Sequence, residues 1–141
     1  TWGQLGQDIN GEAAYDMLGW SVDISPDGRT LAIGAPYWYV VQGYVKVYYL
    51  ESNDLTSSWK QLGQDITGDA YSDRFGGSVS LSGDGKTLAV GANGNDGNGE
   101  NSGCVRIYRL EDDGTSNWEQ IGQDIYGDFD LSGTSVSLSA N

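Results

Sequence analysis

The sequence is a tandem repeat, and this repeat constrains the fold more than any other feature. The segment "WGQLGQDINGEAAYDMLGWSVDISPDGRTLAIGA" at 2–35 recurs 57 residues later as "WKQLGQDITGDAYSDRFGGSVSLSGDGKTLAVGA" at 59–92. A third, partial copy begins with "WEQIGQDIYGD" at 118–128 and includes "TSVSLSAN" at 134–141. A period in the fifties that is composed of strands indicates radially arranged β repeats and not a helical solenoid.

Each repeat predicts four antiparallel strands. In the first copy these are "GWSVDIS" at 19–25, "TLAIGA" at 30–35, "GYVKVYYL" at 43–50 and "WKQLGQDI" at 59–66. The first two strands are joined by a turn with an Asp-Gly pair, which is a strong hairpin signal. Apolar positions do not recur at helical spacing for more than a turn or two. The sequence therefore predicts an all-β fold, a β-propeller built from four-stranded antiparallel blades.

The repeat boundaries divide the chain into about two complete blades and flanking strands of two others. Because propellers typically need 4–8 blades, we expect a segment of one larger propeller domain. The predicted units are 1–18 (last strand of a preceding blade, with its linker), 19–75 (a blade), 76–134 (a blade) and 135–141 (first strand of a following blade).

Charge and residue usage exclude several classes of function. The net charge is −13, from 20 acidic against 7 basic residues, which disfavours binding to nucleic acid or an anionic membrane. No apolar stretch approaches the roughly 20 residues of a membrane helix. The chain has no His, and Cys104 is its single cysteine. Imidazole zinc sites, Ser-His-Asp catalysis and a disulfide framework are therefore excluded.

The segment "FGGSVSLSGDGKTLAVGA…GCVRIYRL" at 75–110 resembles the FG-GAP repeats of integrin-α-type β-propellers. The pairs Phe75-Gly76 and Gly91-Ala92 carry the resemblance, which extends to extracellular repeat proteins of marine microbes and algae. The resemblance implies a seven-bladed or similar propeller at the cell surface, used for architecture or adhesion. It implies no reaction.

Two features depart from the integrin-type pattern. Integrin-type repeats bind calcium in a long loop between strands one and two, whereas here that hairpin is shortened to "SPDGRT" and "SGDGKT". One Asp in a tight turn supplies too few oxygens for Ca²⁺, so Asp27 and Asp84 are interpreted as turn residues. The first copy also reads Leu18-Gly19 where the second has the Phe-Gly pair.

Alternate loops of a four-stranded meander fall on opposite ends of the blade, and variation in loops costs the fold little. The loops between strands two and three therefore share an end with the linkers between blades. We call this surface the loop face, and it comprises 10–18, 36–42, 67–75 and 93–102.

One loop of this face is acidic. Asp96, Asn98 and Glu100 alternate with glycines, and oxygen ligands at alternate positions of a flexible loop can wrap a hard cation. We therefore identify these three residues as candidate Ca²⁺ ligands, which Asp69 and Asp73 could complete. The alternative is a solvated loop that binds nothing.

The equivalent loop of the first copy is aromatic and apolar. Five consecutive residues are candidate partner-binding residues, because an apolar run in a surface loop is expected to be shielded from water by another surface. The alternatives are packing on the next blade or on its own linker, contact with a neighbouring subunit, and a sugar stacked on Trp38 or Tyr39. The five residues are Tyr37, Trp38, Tyr39, Val40 and Val41.

Residues at one position of every copy predict structural roles. The tryptophans that open each fourth strand predict packing between blades, and the aspartates of each "GQDI" predict hydrogen bonds to a turn backbone. These residues are Trp2, Trp59 and Trp118, and Asp8, Asp65 and Asp124.

These observations favour a non-enzymatic extracellular module, structural or adhesive, that binds a protein or glycan partner through the loop face. A segment of a cell-surface filament or appendage, with neighbouring subunits as partners, is a variant of this reading. One alternative is a lectin-like glycan-binding domain, and another is a polysaccharide-active enzyme using channel carboxylates. No catalytic residue is singled out among the candidate acids, which are Glu12, Asp16, Asp69, Asp73, Asp128 and Asp130.

Overall fold

The computed structural model describes residues 1–37, 42–128 and 131–140, and within these residues all regular secondary structure is β. This confirms the all-β prediction. The strands are β1 (Ser21–Ile24), β2 (Thr30–Ala35), β3 (Tyr44–Tyr49), β4 (Lys60–Gln61), β5 (Ile66–Thr67), β6 (Phe75–Leu81), β7 (Thr87–Ala92), β8 (Cys104–Leu110) and β9 (Trp118–Tyr126).

The strands form two antiparallel meanders, as expected for two propeller blades. Blade one has the order β1-β2-β3-β4, with β5 also paired to β3, and blade two has the order β6-β7-β8-β9. The registers agree: Ile33 lies opposite Lys46 in blade one, and Val90 lies opposite Arg106 in blade two. The two copies of the repeat therefore fold in the same way.

The second strands were predicted residue for residue, but the fourth strand of blade one differs from prediction. It is divided into β4 and β5 around Gly63, which adopts a φ of +79°. A residue at positive φ interrupts the pleated ladder as a bulge does. Gly122 has a similar φ of +74°, yet β9 continues past it.

Two segments predicted as flanking strands, 2–9 and 135–140, are not in strands. A fourth strand pairs with the third strand of its own blade, and a first strand pairs with the second. Among the described residues neither segment has that neighbour, so its backbone cannot join a ladder.

The blades stack through a contact that the chain repeats. Ser21 Oγ donates a hydrogen bond of 2.8 Å to the Gly76 carbonyl, and Ser78 Oγ donates one of 2.8 Å to the Gly133 carbonyl. A Cβ on Gly34 would lie 2.0 Å from the Gly76 oxygen, so this position needs glycine. Residues 132–140 thus lie against blade two as β6 lies against blade one.

A tryptophan clasp joins consecutive fourth-strand segments. The Trp59 indole donates to the Leu5 carbonyl at 3.0 Å, while the Gln7 side chain bonds both the N–H (2.9 Å) and the C=O (2.8 Å) of Trp59. The ring lies over Gly6, where a Cβ would come within 2.6 Å of it. We call this arrangement the Trp clasp.

The second copy repeats the clasp one unit further along. The Trp118 indole donates to the Leu62 carbonyl at 2.9 Å. Gln64 Oε1 accepts a hydrogen bond from the Trp118 amide at 2.9 Å, and Gln64 Nε2 donates one to the Trp118 carbonyl at 2.7 Å. Trp118 is buried, whereas Trp2 is fully exposed. Trp59 and Trp118 therefore connect neighbouring repeat units, and Trp2 makes no such contact among the described residues.

The hydrophobic core extends across both blades. It is centred on the second strands and on the apolar residues of the third strands. Phe75 belongs to it as well, and its ring meets Tyr108 edge to face at 6.2 Å. Its main members are Ala32, Val45, Val47, Ile66, Val79, Leu81, Leu88, Val90, Cys104 and Trp118.

Candidate functional site

Backbone hydrogen bonds join the segments of the loop face. The Gly68 amide donates to the Gly43 carbonyl at 2.9 Å, and the Gly94 amide donates to the Asp73 carbonyl at 3.0 Å. At the opposite end of the blade, Asn53 donates to the Asp27 carbonyl at 3.2 Å, which ties the loop 51–58 to the first hairpin. The loops between strands two and three thus share one end with the linkers.

A buried cation supports the linker in blade one. Lys46 projects from β3 and its Nζ lies 2.5 Å from a Glu12 oxygen and 3.2 Å from an Asp65 oxygen. Burial alone lowers the pKa of Lys46, but the two carboxylates together raise it above its ordinary value. The lysine is therefore charged and joins the linker to the fourth strand.

Blade two repeats this arrangement with arginine. Arg106 on β8 pairs with Asp69 of the linker and with Asp124 of β9, the latter at 2.8 Å. The Arg106 hydrogen bonds are the largest influence on Asp124 and lower its pKa. Asp65 and Asp124, predicted to bond a turn backbone, instead hold a buried cation, and each also accepts a hydrogen bond from a glutamine side chain four residues earlier.

Asp16 and Asp73 occupy equivalent, buried positions in the two linkers. Asp16 accepts hydrogen bonds from the Tyr44 hydroxyl (2.7 Å) and from the amides of Glu12 (2.7 Å) and Ala13 (2.8 Å). Burial raises the pKa of Asp16, but these hydrogen bonds outweigh it and the pKa is lowered. The carboxylate thus fixes the shape of its linker.

The second repeat has Cys104 where the first has Tyr44, so the hydroxyl partner is missing. Asn95, from the acidic loop, takes its place and donates to Asp73 at 2.7 Å. Here burial dominates and raises the pKa of Asp73, because the single Asn95 hydrogen bond only partly opposes it. The exchange of loops is therefore coupled to the exchange of tyrosine for cysteine on the third strand.

The acidic loop is folded by its own polar groups. Asp96 accepts a 2.6 Å hydrogen bond from the Asn101 amide, and Asn98 donates to the Gly127 carbonyl at 3.1 Å and to Asp128 at 3.1 Å. Glu100 is exposed. Within the described ranges no three acidic, cysteine or histidine side chains are arranged to hold a metal ion. The Ca²⁺ site at Asp96, Asn98 and Glu100 stays a prediction.

The aromatic loop can be followed only in part. Tyr37 is half-buried and its amide donates to the Ala35 carbonyl at 3.0 Å. The remaining candidate residues, Trp38, Tyr39, Val40 and Val41, lie outside the described residues. Their role in partner binding stays a prediction.

The linkers carry exposed apolar side chains that sequence reasoning missed. They lie before the first strand of each copy, on or beside the loop face. The repeat gave no signal for them: Met17, Arg74 and Leu131 occupy one repeat position and share a φ of 56–57°, but the second of these residues is charged. The exposed set is Tyr15, Met17, Trp20, Tyr71 and Leu131.

A cleft of about 180 Å³ opens where three copies meet. Its walls include one equivalent position from each copy, occupied by Trp20, Gly77 and Thr134. Pro36, Arg74 and Asn93 complete the lining.

The cleft contains an exposed aromatic ring and an incompletely satisfied amide. Trp20 is 58% exposed. Asn93 donates to Thr134 Oγ1 at 3.3 Å, but its Oδ1 is buried and accepts no hydrogen bond from the described residues. A buried acceptor without a partner costs about 1–3 kcal/mol, and this oxygen is not accessible from the cleft.

None of the helices that a membrane span would require occurs in the described part of the chain. No curated protein is significantly similar to the sequence. The family model of the FG-GAP repeat matches residues 67–108, which run from the second linker through β6 and β7 into β8. This match confirms the predicted resemblance of this segment to the FG-GAP repeat.

Proposed function

We propose that this chain is a non-enzymatic β-propeller module, structural or adhesive, that binds a protein or glycan partner at a cell surface. The observation that carries the proposal is the exposure of aromatic side chains on both linkers of the loop face, Tyr15 on the first and Tyr71 on the second. Aromatic residues of this kind are typical anchors of interfaces, and exposed apolar patches mark binding sites.

The states of most candidate acids support a binding role over catalysis; the exception is Asp73, whose pKa is raised by burial and which is covered and bonded by Asn95. Glycoside hydrolysis needs two carboxyl groups flanking the substrate, one of them protonated. Glu12 and Asp69 instead neutralise buried cations, and Asp16 holds its own linker. Asp128 accepts a hydrogen bond from Asn98, and Asp130 lies outside the described residues.

The family supports an extracellular location. FG-GAP repeats typically occur in extracellular proteins. A net charge of −13 favours solubility, which is compatible with an extracellular location. The rigid element is the pair of blades, and the linkers and loops are the surface where a partner is recognised.

The test compares two faces of the same molecule. Wild type, a Tyr15→Ala/Tyr71→Ala double variant and Leu55→Ala are applied to a panel of purified polysaccharides and cell-surface glycoproteins. Leu55 is an exposed apolar residue of the loop 51–58 at the opposite end and is the matched control. We expect the double variant alone to lose binding, with unchanged circular dichroism. Equal binding by all three proteins would contradict the proposal.

The Ca²⁺ prediction has its own test. Thermal melting is recorded in calcium and in chelator for wild type and for Asp96→Asn. A calcium-dependent rise in melting temperature that the variant lacks would support a cation at Asp96, Asn98 and Glu100. An equal rise in both proteins, or none in wild type, would remove calcium from this loop.

A further inference from the structure

We propose that Asn10 is a site of spontaneous deamidation, at which the side-chain amide is converted to a carboxylate. The chain contains three Asn-Gly pairs, at 10–11, 93–94 and 98–99. Such pairs are the most prone to this reaction, because glycine has no Cβ to obstruct attack by its own backbone nitrogen. Of the three, the folded structure leaves the first free to react. The inference does not depend on the proposed function.

The reaction is intramolecular and is completed by water. The Gly11 backbone nitrogen attacks Cγ of Asn10 and forms a new C–N bond, while the bond from Cγ to Nδ2 breaks. Ammonia leaves with the proton that the Gly11 amide gives up. Water then opens the succinimide ring at either of its two carbonyls, and the product is aspartate or isoaspartate. The first step therefore needs an asparagine side chain that can rotate and a following N–H that is not held in a hydrogen bond.

The pair Asn10-Gly11 meets both conditions. Both residues are exposed, and within the described part of the chain neither the Asn10 side chain nor the Gly11 amide makes a hydrogen bond. In the other two copies the equivalent amide donates to the carbonyl that directly precedes the third strand, a neighbour that segment 2–11 lacks among the described residues. These hydrogen bonds run from Gly68 to Gly43 at 2.9 Å and from Gly127 to Gly103 at 3.2 Å.

The pair Asn93-Gly94 is held between the loop and the second linker. The Gly94 amide donates to the Asp73 carbonyl at 3.0 Å. Gly94 is buried and Asn93 is half-buried, with its side-chain oxygen enclosed. Neither the nitrogen that would attack nor the carbon that would be attacked can move without opening of this loop.

The pair Asn98-Gly99 is the sharper comparison, because Asn98 is exposed as Asn10 is. The Gly99 amide nevertheless donates to the Asp96 carbonyl at 3.1 Å. Asn98 Nδ2 donates to the Gly127 carbonyl and to Asp128, both at 3.1 Å, so the side chain is fixed. Exposure alone therefore does not distinguish the two sites, whereas hydrogen bonding does.

Deamidation at Asn10 would change the linker at its beginning. The amides of Glu12 and Ala13, directly after Gly11, donate to Asp16 and fix the shape of the linker. Isoaspartate inserts one additional backbone carbon just before these amides. Either product also adds a negative charge close to Glu12, which pairs with the buried Lys46. The modification thus alters both geometry and charge at this end of the loop face.

The experiment incubates the 141-residue chain at mildly alkaline pH and follows each pair by tryptic digestion and mass spectrometry, in which deamidation adds one mass unit. Asn10 is the single asparagine of peptide 1–29, and peptide 87–106 contains the other two pairs, which fragmentation resolves. The chain unfolded in guanidinium chloride gives the rate that the sequence alone allows. We expect folding to leave the rate at Asn10 nearly unchanged and to slow Asn93 and Asn98 about tenfold or more.

Asn10→Gln is the matched variant, because glutamine keeps the amide but forms the corresponding larger ring far more slowly. Peptide 1–29 of this variant should keep its mass. The inference is overturned if folding slows Asn10 as much as it slows Asn98, or if peptide 1–29 gains no mass in the folded wild-type chain. A mass gain that persists in Asn10→Gln would overturn it as well, since the reaction would then lie at another residue.

Discussion

Asp16 and Asp73 occupy the same repeat position, and their hydrogen-bond partners determine in which direction the pKa of each is shifted. Both are buried, yet the pKa of Asp16 is lowered and that of Asp73 is raised. Asp16 has a tyrosine hydroxyl and two amides as donors, whereas Asp73 has the Asn95 amide. Desolvation therefore prevails at Asp73 and hydrogen bonding prevails at Asp16.

These opposite pKa shifts predict opposite effects of pH on stability. A lowered folded-state pKa means that Asp16 stabilises the fold above its unfolded pKa of about 3.9, and that this stability is lost as the pH falls. A raised pKa means that ionised Asp73 costs stability at neutral pH, and that the cost disappears at low pH. Asp16→Asn should therefore lower the free energy of unfolding by about 1–3 kcal/mol at pH 7, and less in acid.

Asp73→Asn is the matched variant, because the new amide oxygen can still accept the Asn95 hydrogen bond. We expect a smaller loss than for Asp16→Asn at pH 7, or a gain. Urea unfolding of both variants and wild type, at neutral and at acidic pH, provides the measurement. Equal losses in the two variants at pH 7 would show that the two carboxylates have the same role.

Cys104 gives a second prediction at the residue level. Its side chain is fully buried on β8, and burial, followed by the charge of Asp124, raises the pKa of the thiol to about 11. The thiolate is the reactive form, so the folded protein should react with a disulfide reagent at neutral pH far more slowly than the urea-unfolded chain. Equal rates before and after unfolding would mean that β8 opens readily.

The Trp clasp determines how one repeat element holds the next. Trp118→Ala removes a buried ring and its indole hydrogen bond, so it should lower the free energy of unfolding by about 3–5 kcal/mol. Trp2→Ala is the internal control, because Trp2 has the same sequence context but is exposed, and its effect should lie within about 0.5 kcal/mol. Chemical denaturation of both variants tests the difference; similar losses would contradict the clasp.

The elements also show how far sequence reasoning reached. β2 and β7 were predicted residue for residue because an Asp-Gly turn fixes where each begins. The division into β4 and β5 was not predicted, since it depends on the φ of Gly63 and on ladder contacts with β3. Trp59 and Trp118 were predicted correctly as packing residues, whereas Trp2, predicted to pack as well, is fully exposed. Gln7 and Gln64 recur in each "GQDI" segment, but the repeat alone did not indicate that they bond the tryptophan backbone.

At the scale of the molecule, the repeat predicted the blades, but the candidate site depends on contacts between copies. Lys46 and Arg106 reach their carboxylates across segments far apart in the sequence, so neither ion-pair group was predicted. The cleft likewise combines positions 57 residues apart, and single-copy motifs do not reveal it. Family resemblance predicted the architecture and gave no information about these side-chain contacts.

Equivalent positions of the two blades also differ in exposure. Val79 and Leu81 of β6 are 8% and 6% exposed because they pack within the shared core. Their counterparts on β1, Val22 and Ile24, are 60% and 50% exposed. Blade one therefore exposes to solvent a face that is buried in blade two. The packing of blade two on blade one shows how another blade can cover such a face.

We predict that this face makes the 141-residue chain self-associate, since a second copy can offer the same blade surface. Light scattering across a range of protein concentrations should show a rising mean mass, and Val22→Lys/Ile24→Lys should abolish the rise by placing two charges on the apolar face. Leu55→Lys changes an equally exposed apolar residue outside the face and should associate as wild type does. A constant monomer mass for wild type would mean that these two side chains do not form a sufficient contact. Association that survives the double substitution would place the contact elsewhere.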